Sequence, residues 1–158
     1  MTPEEKATQT DEYYIKVHQL EEKYALERQE ISAFIKENII DKLSDVKNIA
    51  ELQVHQISQR QRMSDKISSL KSTIRKHGER AAIARKKRFF YYKTEYNIRL
   101  SDTEISKHID ADLEPRTNFR IVLENQIDYY KRTIEGLDKI GFAVKYVIEQ
   151  NRFLNGGF

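Results

Sequence analysis

The stretch KSTIRKHGERAAIARKKRFFYYK, Lys71 to Lys93, sets nine lysines and arginines against one acid, Glu79, and ends in four consecutive aromatic residues. Its formal charge is +8 in a chain whose total is +3, so the other residues together carry a net charge of −5. Cations interleaved with rings suit a single-stranded nucleic acid, where ammonium and guanidinium groups follow the phosphates and rings stack on bases of any sequence. The competing reading is a solvated charged helix whose rings belong to the core.

The helical positions of the charges bear on this choice. At about 100° per residue, Lys71, Arg75, Lys86 and Lys93 share one face, Lys76, Arg80 and Lys87 the opposite one, and Arg85 and Arg88 lie between. Such a helix repels itself unless anions approach it, and acids within the segment are too few, so an external polyanion is expected. The expected phosphate contacts are Arg75, Lys76, Arg80, Arg85, Lys86, Lys87, Arg88 and Lys93, with Tyr91 or Tyr92 stacking on bases. Tyr91 continues an apolar seam and is expected to pack, which makes Tyr92 the better stacking candidate.

Other chemistries find little support. No P-loop, no His/Cys cluster and no nucleophile with a base at recognisable spacing occurs, so neither catalysis nor a cofactor is expected. Asp110, Asp112 and Glu114 gather three carboxylates but lack the glycine and distal glutamate of a calcium loop, and no metal site is expected there. His77 has no second ligand nearby and reads as a packing residue. The absence of cysteine excludes disulfides and fits a reducing compartment. No apolar run approaches the roughly 20 residues of a membrane span, and the N-terminus lacks the apolar core of a signal peptide.

The elements that must position the basic segment are helices. Between Pro3 and Pro115 there is no proline, and Gly78 is the only glycine. A helix start is expected at Thr2-Pro3-Glu4-Glu5 or at Thr10-Asp11-Glu12. Apolar residues over roughly the first sixty positions shift phase near Leu26–Gln29 and again near Val54–Ile57, which implies an antiparallel helical hairpin or a broken long helix. From Met63 a seam runs through Ile67, Leu70, Ile74, His77, Ala81, Ala84, Arg88 and Tyr91 in alternating steps of four and three. Tyr96, Ile98 and Leu100 alternate with polar residues, the pattern of a short strand over 96–100 or of a frayed helix end. Ser101 and Glu104 then have capping-box spacing, and Pro115 is expected to break the helix that follows.

The C-terminal helix carries a second seam, Leu123, Ile127, Tyr130, Ile134, Leu137, Gly141, Val144 and Ile148. Ile140 and Val147 widen it, while Phe142, Tyr146 and Phe153 fall on another face. A terminal helix apolar on two sides implies packing against further copies of the chain, with Gly136 and Gly141 allowing close approach. The tail Asn155-Gly156-Gly157 is expected to end it. The chain is therefore expected to be all-α, with long helices in coiled-coil-like packing. Its expected parts are an N-terminal helical extension (1–50), a DNA-binding helical region (51–115) and a C-terminal oligomerisation helix (116–158).

The run LDKIGFAVKYVIEQNRFLNG, Leu137–Gly156, together with AAIARKKRFFYY upstream, resembles the UvsY family, the recombination mediators of T-even-type bacteriophages. The likeness lies in the GFA-(I/V)-K signature at Gly141–Lys145 and in Lys86 and Arg88 followed by Tyr91 and Tyr92, and it covers about residues 50–158. The chain departs from that family in its longer first fifty residues and in Lys93-Thr94, where a small residue and glycine would follow the tyrosines. The resemblance implies a non-enzymatic protein in the cytoplasm of an infected host bacterium that binds single-stranded DNA. It also implies a hexamer- or heptamer-like barrel built through C-terminal helices, here Leu137, Ile140, Gly141, Phe142, Val144, Tyr146, Val147, Ile148 and Phe153. Such a mediator would help a RecA-like phage recombinase, UvsX-like, to nucleate on DNA coated by the phage single-strand-binding protein. Outside the resemblance, a helical scaffold or virion-interaction protein whose basic helix binds acidic partners is the alternative.

Overall fold

The computed structural model describes residues 3–43, 46–154 and 156. Three long helices pack against each other: α1 (Pro3–Ile35), α2 (Ile49–Thr94) and α3 (Asp102–Leu154). A π-helical turn (Lys36–Ile40) and a 3₁₀ turn (Val46–Asn48) join the first two. Of the two helix starts expected near the N-terminus, the first is the one adopted, with Thr2 outside the described residues.

The chain divides into two compact units, each discontinuous in sequence: Met1–Glu22 with Leu70–Asn125, and Lys23–Ser69 with Gln126–Phe158. In the second unit Ile39, Ile49, Leu52, Leu137 and Val144 form the core, and Ile35, Leu43, Ile140, Val147 and Ile148 pack around it. Polar contacts tie the same helices together. Lys66 pairs with Glu27, which also accepts a hydrogen bond of 2.9 Å from the Tyr130 hydroxyl. Arg28 Nε donates to the side-chain amide oxygen Oε1 of Gln126 at 2.7 Å. At Gly141 the Gln56 amide crosses α3 and donates to the Leu137 carbonyl at 2.7 Å, passing through space that a Cβ on residue 141 would occupy.

In the first unit the end of α2 folds back onto the start of α3. Tyr92, Ile105, Ile109 and Leu113 are buried there, with Ala84, Tyr91, Tyr96 and Leu100 packed against them. Further along, Tyr13, His77 and Phe119 join α1, α2 and α3: the His77 ring lies 4.8 Å from Phe119 and meets Tyr13 edge-on at 6.1 Å. The seam read from Met63 to Tyr91 lies inward throughout, wholly buried at Met63 and half-buried beyond it.

Several local expectations are corrected. Residues 96–100 form an irregular link rather than a strand, because the described residues offer no neighbouring strand and Tyr96 and Leu100 are drawn into the aromatic core. Helices α1 and α2 run unbroken through both phase shifts, and the reversal occurs after Ile40. Pro115 does not end its helix; α3 passes through it without interruption. An interior proline costs ~3 kcal/mol, yet Leu113 and Pro115 are buried and Val122 and Leu123 are anchored two turns on, so packing on both sides outweighs the lost hydrogen bond. The capping box is present as expected: the Ser101 N–H donates to Glu104 Oε2 at 2.8 Å, and the Ser101 hydroxyl donates to the same oxygen at 2.7 Å. These bonds favour the carboxylate and hold the Glu104 pKa below its usual value. At the other end Gly156 has φ of +70°, a left-handed conformation that suits glycine after a helix, while Asn155 and Gly157 lie outside the described residues.

Candidate nucleic-acid interface

The basic segment forms the last turns of α2, and the structure sorts its cations into two groups. Three are held by aspartates of α3. Arg85 donates to Asp110 at 2.8 Å and to Ser106 at 3.4 Å. Arg88 meets Asp112 at 3.4 Å, with side chains only 17% and 18% exposed. Lys93 meets Asp102 at 2.6 Å and also lies over the Phe89 ring. The repulsion inferred from the segment alone is thus partly relieved from within the chain. The signal was present as Asp102, Asp110 and Asp112, but it pointed to partners only once α3 was known to fold back beside α2.

The second group faces solvent. Lys71, Lys76, Arg80, Lys86 and Lys87 are exposed and have no carboxylate at ion-pair distance among the described residues, while Arg75 reaches only its helical neighbour Glu79 at 3.8 Å. The first five keep a charged side chain available to an anion without an ion pair among the described residues being broken.

The rings are also redistributed. Tyr92, the expected stacking residue, is 5% exposed; its hydroxyl donates to Asp112 at 2.9 Å and its ring stacks on His108 at 5.3 Å. Tyr91 is half-buried, 5.3 Å from Tyr92 and 6.1 Å from Tyr96. The tyrosine pair therefore closes the α2–α3 turn, because positions 91 and 92 continue the inward face of α2. Phe89 and Phe90, 44% and 64% exposed, are the rings that sequence reasoning passed over. Their outward position follows from the same geometry, one or two residues back from Tyr91.

His77 sits among Tyr13, Phe119 and three guanidinium groups. Burial first, and then Arg116, Arg80 and Arg120, hold its pKa below the ordinary value.

At the end of α3 the residues expected to join copies of the chain separate in the same manner. Leu137 and Val144 belong to the chain's own core, Ile140, Val147 and Ile148 pack on it, and Gly141 faces Gln56 of the same chain. Only Phe142, Tyr146 and Phe153, 75%, 61% and 85% exposed, remain outward. They lie within about 40° of one another around the helix.

Among the described residues no helix is long and apolar enough to cross a membrane, and no group of three or more His, Asp or Glu side chains is arranged to hold a metal ion. Comparison with protein-family models, with curated proteins and with solved structures gives no match.

Proposed function

We propose that this protein is a non-catalytic, single-stranded DNA-binding recombination mediator that self-associates and helps a RecA-like phage recombinase to load onto DNA coated by single-strand-binding protein. The observation that carries DNA binding is the set of cations on α2 with no carboxylate partner among the described residues, Lys71, Lys76, Arg80, Lys86 and Lys87, beside the exposed rings of Phe89 and Phe90. Phosphates supply what these cations lack, and rings facing water gain by stacking on bases. Self-association rests on Phe142, Tyr146 and Phe153. Joining copies through that face multiplies the basic surface, so a strand held weakly by each subunit is held firmly by the assembly. The mediator role rests on the resemblance to the UvsY family, and it would act by differential affinity for DNA conformations with no bond made or broken.

The test is salt-dependent binding of a single-stranded oligonucleotide to the wild type and to Lys76→Ala/Lys86→Ala. Each lost phosphate contact removes ~0.7 from the slope of log K against log salt, so the double variant should bind more weakly with a slope lower by about 1.4. Unchanged affinity and slope in a folded variant would defeat the DNA reading. Binding to acidic proteins in place of DNA would favour a scaffold. For the mediator role, the protein should shorten the lag before a phage recombinase becomes active on coated DNA.

A further inference from the structure

We infer that a groove in the first unit is a seat for one unpaired nucleotide, its base stacked on Phe90 and its flanking phosphates held by Arg80 and Lys87. This rests on the DNA-binding reading above and names where a base, as distinct from the backbone, is recognised.

The groove has a volume of about 640 Å³, within the roughly 300–1,000 Å³ of small-ligand sites. All three helices of the unit line it: Tyr13 from α1, Arg80, Lys87 and Phe90 from α2, and Arg116 from α3. Arg80 and Lys87 are two turns apart on α2, about 10 Å along its axis, so their side chains bracket the groove and can meet successive phosphates. Phe90 is one turn beyond Lys87 and 64% exposed, so a flat face is open to the groove beside the cations. The Arg116 guanidinium lies 5.0 Å from the Tyr13 ring centroid, which fixes a further positive charge on the opposite wall.

Charge decides the sign of the occupant. Two carboxylates also line the groove, Glu95 and Asp112. Asp112 already accepts from the Tyr92 hydroxyl at 2.9 Å and pairs with Arg88, which leaves Arg80, Lys87 and Arg116 facing Glu95 alone. A cationic ligand is therefore disfavoured. An acidic peptide would answer the cations but offers Phe90 a ring only where an aromatic residue accompanies its acids, whereas every nucleotide carries a charge and a flat base together.

The experiment compares two strands of equal length and charge, an oligodeoxythymidylate and an oligomer of abasic deoxyribose phosphate, with oligoglutamate as a third probe. The wild type should prefer the base-bearing strand by roughly 5- to 150-fold, the range for stacking of a base on an aromatic side chain. Phe90→Ala and Phe90→Leu should lower that preference several-fold, leaving only what Phe89 supplies, without changing the salt slope, and Phe90→Trp should retain the preference. Phe90 is exposed, so its variants should keep the wild-type circular dichroism spectrum. A preference unchanged in Phe90→Ala, or oligoglutamate binding as tightly as oligodeoxythymidylate, overturns the nucleotide seat. If the Phe90 variants leave the strand preference untouched while Lys76→Ala/Lys86→Ala still weakens binding, the seat is wrong and the DNA reading stands. If neither variant changes anything, both fail.

Discussion

Replacing Tyr92 by alanine separates a ring that holds the fold from one that holds DNA. The side chain is 5% exposed, stacks on His108 at 5.3 Å and donates to Asp112 at 2.9 Å. Truncating a buried aromatic to alanine costs ~3–5 kcal/mol. In a chain of this size each kcal/mol moves the melting temperature by ~2–4 °C, so Tyr92→Ala should melt about 6–20 °C lower. Tyr92→Phe removes only a hydrogen bond to a charged acceptor, ~1.5–3 kcal/mol, and the low end is expected because Asp112 keeps Arg88 at 3.4 Å. The control is Phe90→Ala, an exposed position where a change within about 0.5 kcal/mol is expected. Melting curves by circular dichroism, with oligonucleotide binding well below the transition, read both quantities. The reasoning fails if Tyr92→Ala melts within about 2 °C of the wild type and binds single-stranded DNA several-fold more weakly, since the ring would then be a DNA platform.

Three further outcomes are expected. Val144→Asp places a charge in the core of the second unit and should abolish folding, whereas serine at Phe142, Tyr146 and Phe153 together should leave helical content intact and lower the mass seen by light scattering; an unchanged mass would refute self-association through this face. Gly136→Ala meets no atom within 4 Å, so it should gain ~0.8–1 kcal/mol of helix propensity and raise the melting temperature by ~2–4 °C; a fall would reveal a packing role for the glycine. Because His77 is held below its unfolded value of 6.5, the unfolded chain takes up its proton first as pH falls, so stability should decline below about pH 6.5. His77→Phe should flatten that decline in melting temperature between pH 7.5 and 5.5, and identical slopes in the two proteins would exclude His77 as its source.

The helical class and the capping box at Ser101 were legible because both are local: proline and glycine are scarce, and a serine stands three residues before a glutamate. What was hidden depended on which helix lies beside which. Asp110 and Asp112 read as an isolated acidic cluster until α3 set them against Arg85 and Arg88. The seam through Leu137 and Val144 was visible, but its period is the same whether the opposite helix belongs to the same chain or to another. Within the single chain that opposite surface is supplied by Ile39, Ile49 and Leu52. Pro115 misled because propensity is a local cost and the packing that overrides it is not.

Gln56 has a consequence for the uniqueness of the fold. A seam of apolar residues in steps of four and three is nearly self-similar under translation by a heptad, so α3 could slide by seven residues along α2 and still present aliphatic side chains. Such a slip would bring Ile134 or Ile148 beneath Gln56 in place of Gly141, and either side chain would block the amide from the backbone carbonyl it now reaches. The amide would be left without that acceptor at a cost of about 1–3 kcal/mol if it stayed buried, a penalty absent from the native alignment. One glycine and one glutamine therefore act as a registration pin, selecting a single alignment among several that hydrophobic burial alone would leave close in energy.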